Sequence, residues 1–378
     1  MKKNFVKILA LFLNLLLVFS IFTASACKKD CTHVYKDYVC TLCGCNYYTE
    51  GLVYTLNESG TGYVVRGKDF ATNLEELFIP ATHKNLPVTD IAENAFKDEK
   101  HIKVLNIADG VKTIGESAFY NCVNIVKARI PSTLIEIDES AFLNCISLKF
   151  NSYGNAKYLG NEVNPYFYMA SVDSYLIDTI DIHVRCKMIN QQSIDECKDL
   201  KYSENNGFYY LGSIVNPYIY LAKPVSLSQT QVLIDYNCSI VNPKAISMLE
   251  SVEQITSHVG NGYFRVEKGC LIDNQNNSII AGCEVFDLDN SATSIGPYAF
   301  MCRNFTEVSI SNNITSIGKG AFSNCENLTD VTIAKSVIRM GANVFDGCEK
   351  LQNIVLKHDK TPNYWHSNWK GNNSAIVS

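Results

Sequence analysis

The chain has 378 residues, 47% of them hydrophobic and 19% charged, and a formal net charge of −5. This is the composition of a folded chain with enough apolar material for a large core. It carries no basic surplus with which to neutralise phosphates, so nucleic-acid binding is set aside at the outset.

The N-terminus reads as an address. Lys2, Lys3 and Lys7 precede an apolar run from Ile8 to Phe22, and Ala24, Ser25 and Ala26 lead into Cys27. The run is short for a membrane span and ends in small residues, so residues 1–26 are expected to be a secretory signal peptide. Small residues directly before a cysteine resemble a bacterial lipobox, although Ala24 stands where leucine is usual. Cys27 is therefore the expected lipidation site, with an ordinary signal-peptidase cut as the alternative. Residues 27–50 form a cysteine-rich segment. Within it Cys31, His33, Cys40 and Cys43 offer four soft ligands, and a C-x-x-C turn can place two thiolates on one tetrahedral zinc. Cys45 could replace His33. An exported segment also permits disulfides, so the sequence leaves a structural zinc and a disulfide pair both open. Next, two apolar runs, residues 52–56 and 63–66, flank a polar turn and read as an N-terminal hairpin cap over residues 51–70.

Internal repeats then take over. Residues 125–147 and 328–350 share one 23-residue template, with apolar residues in the first, fourth and sixth places (Ile125, Ala128 and Ile130; Leu328, Val331 and Ile333). Ile114-Gly115, Ile295-Gly296 and Ile317-Gly318 each lead within a few residues to Ala-Phe and then a cysteine. Phe96, Phe119 and Phe142 recur every 23 residues, and Phe300, Phe322 and Phe345 at intervals of 22 and 23. A unit this short cannot bury its own apolar side, but stacked units can. The expected fold is a β-rich leucine-rich-repeat solenoid of short parallel strands, with the phenylalanines as an internal spine. The recurrent cysteines, Cys122, Cys302, Cys325 and Cys348 among them, read as small buried thiols rather than disulfides.

Regular coils are expected over residues 74–150 and 291–357. Between them, residues 151–290 depart from the template. Tyr158-Leu159-Gly160 through Asn164-Pro165-Tyr166 recurs 52 residues later as Tyr210-Leu211-Gly212 through Asn216-Pro217-Tyr218, and each copy reads as a hairpin about an Asn-Pro turn. Residues 262–285 read as a third hairpin, and residues 189–197 and 240–249 as degenerate coils. After residue 357 a tail with Tyr364, Trp365 and Trp369 is expected to cover the last coil.

The Ile-Gly-x-x-Ala-Phe-x-x-Cys units, the Ile79-Pro80 and Ile130-Pro131 strand ends and the Tyr-Leu-Gly…Asn-Pro-Tyr hairpins resemble the BspA-like leucine-rich repeat family of bacterial surface proteins, over residues 51–357. The resemblance implies a surface location and a macromolecular partner rather than a catalytic set.

The residues alone support the same direction. G-x-S-x-G, H-E-x-x-H and P-loop patterns are missing from the sequence, and no histidine is patterned with a nucleophile. The expected function is a lipid-anchored surface protein that binds an extracellular protein, with glycan binding through Tyr166, Tyr168, Tyr218 and Tyr220 as the alternative. Residues between the inward places of each strand should point out. They are Val104 and Asn106, Lys127 and Arg129, Glu307 and Ser309, Asp330 and Thr332, and Asn353 and Val355. Lys127, Arg129, Glu307 and Asp330 are the charged candidates for partner contact, basic in one block and acidic in the other. Ordinary solvated charge is the bland alternative.

Overall fold

The computed structural model describes residues 49–57, 60–69, 74–289, 291–362 and 365–378, with the backbone of residues 35–36 and 39–40. The chain winds as a solenoid in which each regular coil contributes two short strands. The outer strand comes from the apolar-x-x-apolar-x-apolar segment. Val104–Ile107 lies parallel between Glu76–Ile79 and Lys127–Arg129. In the C-terminal block Asp330–Ile333 lies parallel between Glu307–Ser309 and Asn353–Leu356. The inner strand is the short segment that ends in isoleucine or methionine before the turn that carries the phenylalanine. Thr113–Ile114 stacks between the end of Leu86–Ile91 and Glu136–Ile137, and Ser316–Ile317 between Ser294–Ile295 and Arg339–Met340.

Where glycine follows an inner strand, at Gly115, Gly296, Gly318 and Gly341, it has a steric cause. A Cβ on Gly115 would lie 2.7 Å from the Glu93 amide nitrogen, and one on Gly318 2.5 Å from that of Pro297. Successive coils pass too closely at these two positions for a side chain.

The phenylalanine column is the internal spine. Phe96, Phe119 and Phe142 stack at 5.4 and 5.2 Å, and Phe300, Phe322 and Phe345 at 5.3 and 5.7 Å. The cysteines three places later add a polar thread: the thiols of Cys122, Cys145, Cys325 and Cys348 donate to the carbonyls of Phe96, Phe119, Phe300 and Phe322 of the preceding coil. The ten described cysteines from Cys122 onward are thiols, and nine are buried. Burial pushes the Cys122 thiol up to about 12 and the Cys145 thiol up to about 11.

Cys302 departs from the expected burial. It follows Phe300 by two residues where the others follow by three. It takes a left-handed position (φ 62°) that Asn121, Asn144 and Asn324 fill elsewhere, and it is exposed. Arg303 occupies the inward place instead, with its side chain fully buried. Its guanidinium pairs with Glu284 at 3.0 Å and donates to the carbonyls of Ser247 (2.7 Å), Ile246 and Leu249 (3.3 Å each). It thereby ties the C-terminal block to the middle of the chain.

In the middle, each expected hairpin is a three-stranded meander. Asn151–Tyr153, Ala156–Leu159 and Tyr168–Val172 form the first, Ser203–Asn205, Phe208–Leu211 and Tyr220–Pro224 the second, and Phe264–Glu267, Cys270–Asp273 and Ser278–Gly282 the third. The third strand of each enters the inner ribbon by pairing parallel with the next coil: Tyr168 with Met188, Tyr220 with Ile240, Ser278 with Ser294. In the degenerate coils, short helices Gln191–Asp195 and Pro243–Ser247 replace the Ala-Phe turn, capped by Asn190 and Asn242. The outer ribbon narrows to single bridges at Gly160 and Gly212, and widens again where Gln231–Ile234 pairs parallel with Gln254–Ser257. A Cβ on either glycine would meet the carbonyl oxygen of Asn164 or Asn216 at 2.1 Å.

Both ends are covered. Leu52–Leu56 and Tyr63–Lys68 form the expected N-terminal hairpin, paired onto Leu86–Ile91. At the C-terminus Trp369 packs edge-on against Phe345 (6.2 Å), and Trp365 against Trp369 (4.9 Å). Tyr364 lies outside the described residues.

Candidate functional site

Cys27, Cys31, His33, Cys43 and Cys45 lie outside the described residues, and of Cys40 only the backbone is described, opposite Tyr35 in a two-residue ladder. Among the described residues no helix is long and apolar enough to cross a membrane.

The four charged ribbon candidates fall in two places. Lys127 aligns with Val104 and is exposed, and Glu307 aligns with Asp330, the first exposed and the second half-buried. Asp330 accepts a hydrogen bond from Asn353 at 2.7 Å. Arg129 departs from the expected exposure. Its guanidinium donates to the Ile107 carbonyl (2.6 Å) and pairs with Asp109 (3.0 Å) and Glu162 (3.1 Å). It clamps the last regular coil to the first Asn-Pro loop. Asn106 is also buried rather than outward. Of the tyrosines, Tyr168 and Tyr220 are buried, Tyr166 stacks on His183 at 3.9 Å, and Tyr218 packs edge-on to Tyr210. They pack the meanders onto neighbouring coils.

The sequence reading missed an apolar ridge on the outside of the middle coils. It lies in the turns that follow the outer ribbon: Val163, Val184, Ile214, Val215, Tyr236 and Val259, each 51–96% exposed. The turns are neighbours. Asn164 donates to the Arg185 carbonyl (2.8 Å), Ile182 to that of Gly212 (2.9 Å) and Asn216 to that of Asn237 (3.2 Å), and the rings of Tyr236 and His258 lie 5.8 Å apart. The matching turns of the regular blocks carry Asp109, Ser132, Ser311 and Lys335. The visible signal was the recurrence of bulky apolar residues inside loops otherwise rich in Asn and Pro.

The inner ribbon is not free either. The solenoid doubles back, so that the inner strands of the two regular blocks face each other. Arg339 pairs with Asp90, Lys319 with Asp138 (3.1 Å), and His366 with Glu93 and, at 3.8 Å, Glu116. Thr113 also donates to Asp90 at 2.5 Å. Burial opposes both charges of the second pair, yet Ser140 and Lys319 hold the Asp138 carboxyl below its ordinary value and Asp138 holds the Lys319 ammonium above its own. Glu136 sits in the same seam. Burial pushes its carboxyl up to about 7, with Arg339 opposing and Asp138 adding to the rise. At the closed end of the seam, where the middle coils make the bend, a cavity of about 530 Å³ opens between the last N-terminal coil, the two degenerate coils and the third meander.

This architecture defines a leucine-rich repeat protein. The model of the BspA type leucine rich repeat region matches residues 70–201 and 277–368 in six copies, more than half of the chain, and the chain belongs to that family. The unmatched stretch between them holds the second meander and the helix Pro243–Ser247. No curated protein matches the chain significantly. Among solved structures, the chain is similar to a leucine rich cell surface protein from Faecalibacterium prausnitzii, at 20% identity over 88% of this chain and 94% of that one, with a TM-score of 0.32. It is similar to the leucine rich repeat protein of T. pallidum, at 15% identity over 81% and 91%, TM-score 0.28. It also resembles the pneumococcal vaccine antigen PcpA, at 13% identity over 82% and 81%, TM-score 0.30. At these scores the fold assignment rests on the repeats themselves.

Proposed function

We propose that the protein is an exported, surface-held binding protein, anchored by lipid at Cys27, that engages an extracellular protein through the outer side of its middle coils. The observation that carries this reading is the ridge from Val163 to Val259. Contiguous apolar side chains left in water are characteristic of protein-interaction sites. Evenly spaced turns of stacked coils present them as one line. Lys127, Glu307 and Asp330 flank the ridge on the regular blocks and serve to orient a partner more than to hold it. Family membership supports the surface location. Near the N-terminus, Cys31, His33, Cys40 and Cys43 would hold a small zinc-bound stalk, or the cysteines a disulfide-bonded one.

Immobilised extracellular-matrix proteins and mucins, probed with the mature chain, test the reading. The wild type is expected to bind. A variant with Ile214→Ser, Val215→Ser and Tyr236→Ser is expected to lose binding while unfolding at the same denaturant concentration. If that variant binds like wild type and Lys127→Glu does not, contact runs along the ribbon instead. For the anchor, Cys27→Ser should release the protein from the membrane fraction; full retention, with no lipid on the N-terminal peptide by mass spectrometry, rejects it.

A further inference from the structure

The cavity at the closed end of the seam is separate from the outer ridge, and its walls have a chemistry of their own. Tyr220 lies buried in its wall and donates its hydroxyl to Gln191. Tyr263 and Tyr298 also line it, from the third meander and the first C-terminal coil. Each carries a lysine over its ring: Lys187 Nζ lies 5.4 Å from the Tyr263 centroid, and Lys244 Nζ 4.4 Å from that of Tyr298. The tyrosine faces help fix these ammonium groups in place.

Charge accounting separates the two lysines from the rest of the lining. Lys319 is committed to Asp138. Asp273 accepts the amides of Gln275 (2.7 Å) and Asn276 (3.0 Å) and so closes its own turn. Glu136 and Glu139 remain as acids in the lining, close enough to Tyr298 to act on its hydroxyl. Among the described residues, neither Lys187 nor Lys244 has a carboxylate within ion-pair distance.

A hydroxyl-rich ring would meet here what it needs: tyrosine rings for its C–H surface, and amide and carboxylate groups such as Gln275 and Glu139 for its hydroxyls. A carboxylate on that ring would meet the two uncommitted lysines in charge-assisted hydrogen bonds. The volume falls within the ~300–1,000 Å³ typical of small-molecule sites. A folded protein partner is not suited to it, because it is a recess of only about 530 Å³ set between the coils. We infer that this cavity is a binding site for a short acidic saccharide, held by Tyr263 and Tyr298 through its ring and by Lys187 and Lys244 through its carboxylate.

Titration of the purified full-length chain with galacturonic acid trimer, glucuronic acid and N-acetylneuraminic acid, against neutral maltotriose and a tri-glutamate peptide, tests the inference by calorimetry. At least one acidic saccharide is expected to bind with an affinity that weakens as salt is raised. Lys244→Gln and Lys187→Gln are each expected to weaken it about tenfold, the scale of one hydrogen bond to a charged group. Tyr298→Ala is expected to abolish binding, and Lys244→Gln keeps the test sound should Tyr298→Ala fail to fold. The ridge variant should bind the saccharide unchanged, which keeps this result independent of the protein-partner reading. No heat from any acidic saccharide, equal affinity for maltotriose, tighter binding of the peptide, or wild-type affinity in Lys187→Gln and Lys244→Gln would each overturn the proposal.

Discussion

The regular blocks and the middle of the chain solve the same stacking problem with different parts. In the regular blocks an aromatic ring fills each coil, Phe119 upon Phe96 and Phe322 upon Phe300, and the turns after the outer strand are polar. In the middle, isoleucines take that place on short helices, Ile194 and Ile246, and the turns push valines, an isoleucine and a tyrosine into water. Where the core is built from the strongest packing units, the surface is plain. Where the core is built from substitutes and meanders, the surface carries the apolar ridge and the inside opens into a cavity. Repeat proteins hold their fold through nearest-neighbour contacts, so a few coils can diverge toward binding while the flanking coils keep the register.

The join between the regions offers the largest effect. Arg303→Met removes the buried arginine that stands where Cys122, Cys145, Cys325 and Cys348 stand in other coils, and leaves Glu284 and three carbonyls without it. Removing one partner of a buried pair costs about 3–5 kcal/mol. Urea unfolding is expected to show that loss. Hydrogen exchange should place it at residues 243–250 and 283–305 rather than in the N-terminal block. Phe119→Ala sharpens the comparison from the other side. A buried phenylalanine cut to alanine costs about 3–5 kcal/mol. The loss should appear as faster exchange in the coils that hold Phe96 and Phe142, with the C-terminal coils unchanged. Equal deprotection of the whole chain by either variant would show that the two regions unfold as one unit.

The spine was legible because its period is local. Every 23 residues a phenylalanine returns, and stacking follows from the spacing alone. The doubling back was not legible. Arg339 and Asp90 are 249 residues apart, Lys319 and Asp138 181, and no periodicity links them. Arg129 was misread for a related reason. Its place in the strand points outward, but the Asn-Pro loop bearing Glu162 folds over it. The first strands of the meanders were hidden too, since Asn151–Tyr153 and Ser203–Asn205 are short and polar.

The seam gives a smaller effect with a definite sign. The Glu136 carboxyl is raised to about 7, chiefly by burial, and faces Arg339, Lys319, Asp138 and Asp90. A raised carboxyl means that the folded chain holds a proton the unfolded chain has released. Stability therefore falls as pH climbs from the ordinary glutamate range through about 7, and is lowest above it. Glu136→Gln, which keeps the shape of the protonated acid, should unfold at a higher urea concentration than wild type at pH 8, by about 1–2 kcal/mol. At pH 4.5 the two should nearly coincide. A difference that persists at low pH, or that favours wild type at pH 8, would show that the charged form is the one the seam stabilises.

The smallest effect probes the frame shift at Cys302. Asn121, Asn144 and Asn324 hold the same left-handed backbone position in other coils, and glycine holds it at Gly347. A left-handed backbone costs most side chains about 1–2 kcal/mol, while asparagine visits it readily because its short amide hydrogen-bonds locally. Cys302→Asn should therefore leave the fold intact and raise stability by a few tenths of a kcal/mol up to about 1 kcal/mol. In the wild type the exposed Cys302 should be the first of the ten described thiols to be alkylated in the native state, although burial and Glu326 hold its thiol above its ordinary value. The other nine should react only on unfolding, because each is buried. Native alkylation at Cys325 or Cys348 before Cys302, read by mass spectrometry of the labelled peptides, would mean that the coil at Phe300 keeps the common register and that Arg303 is not the residue turned inward.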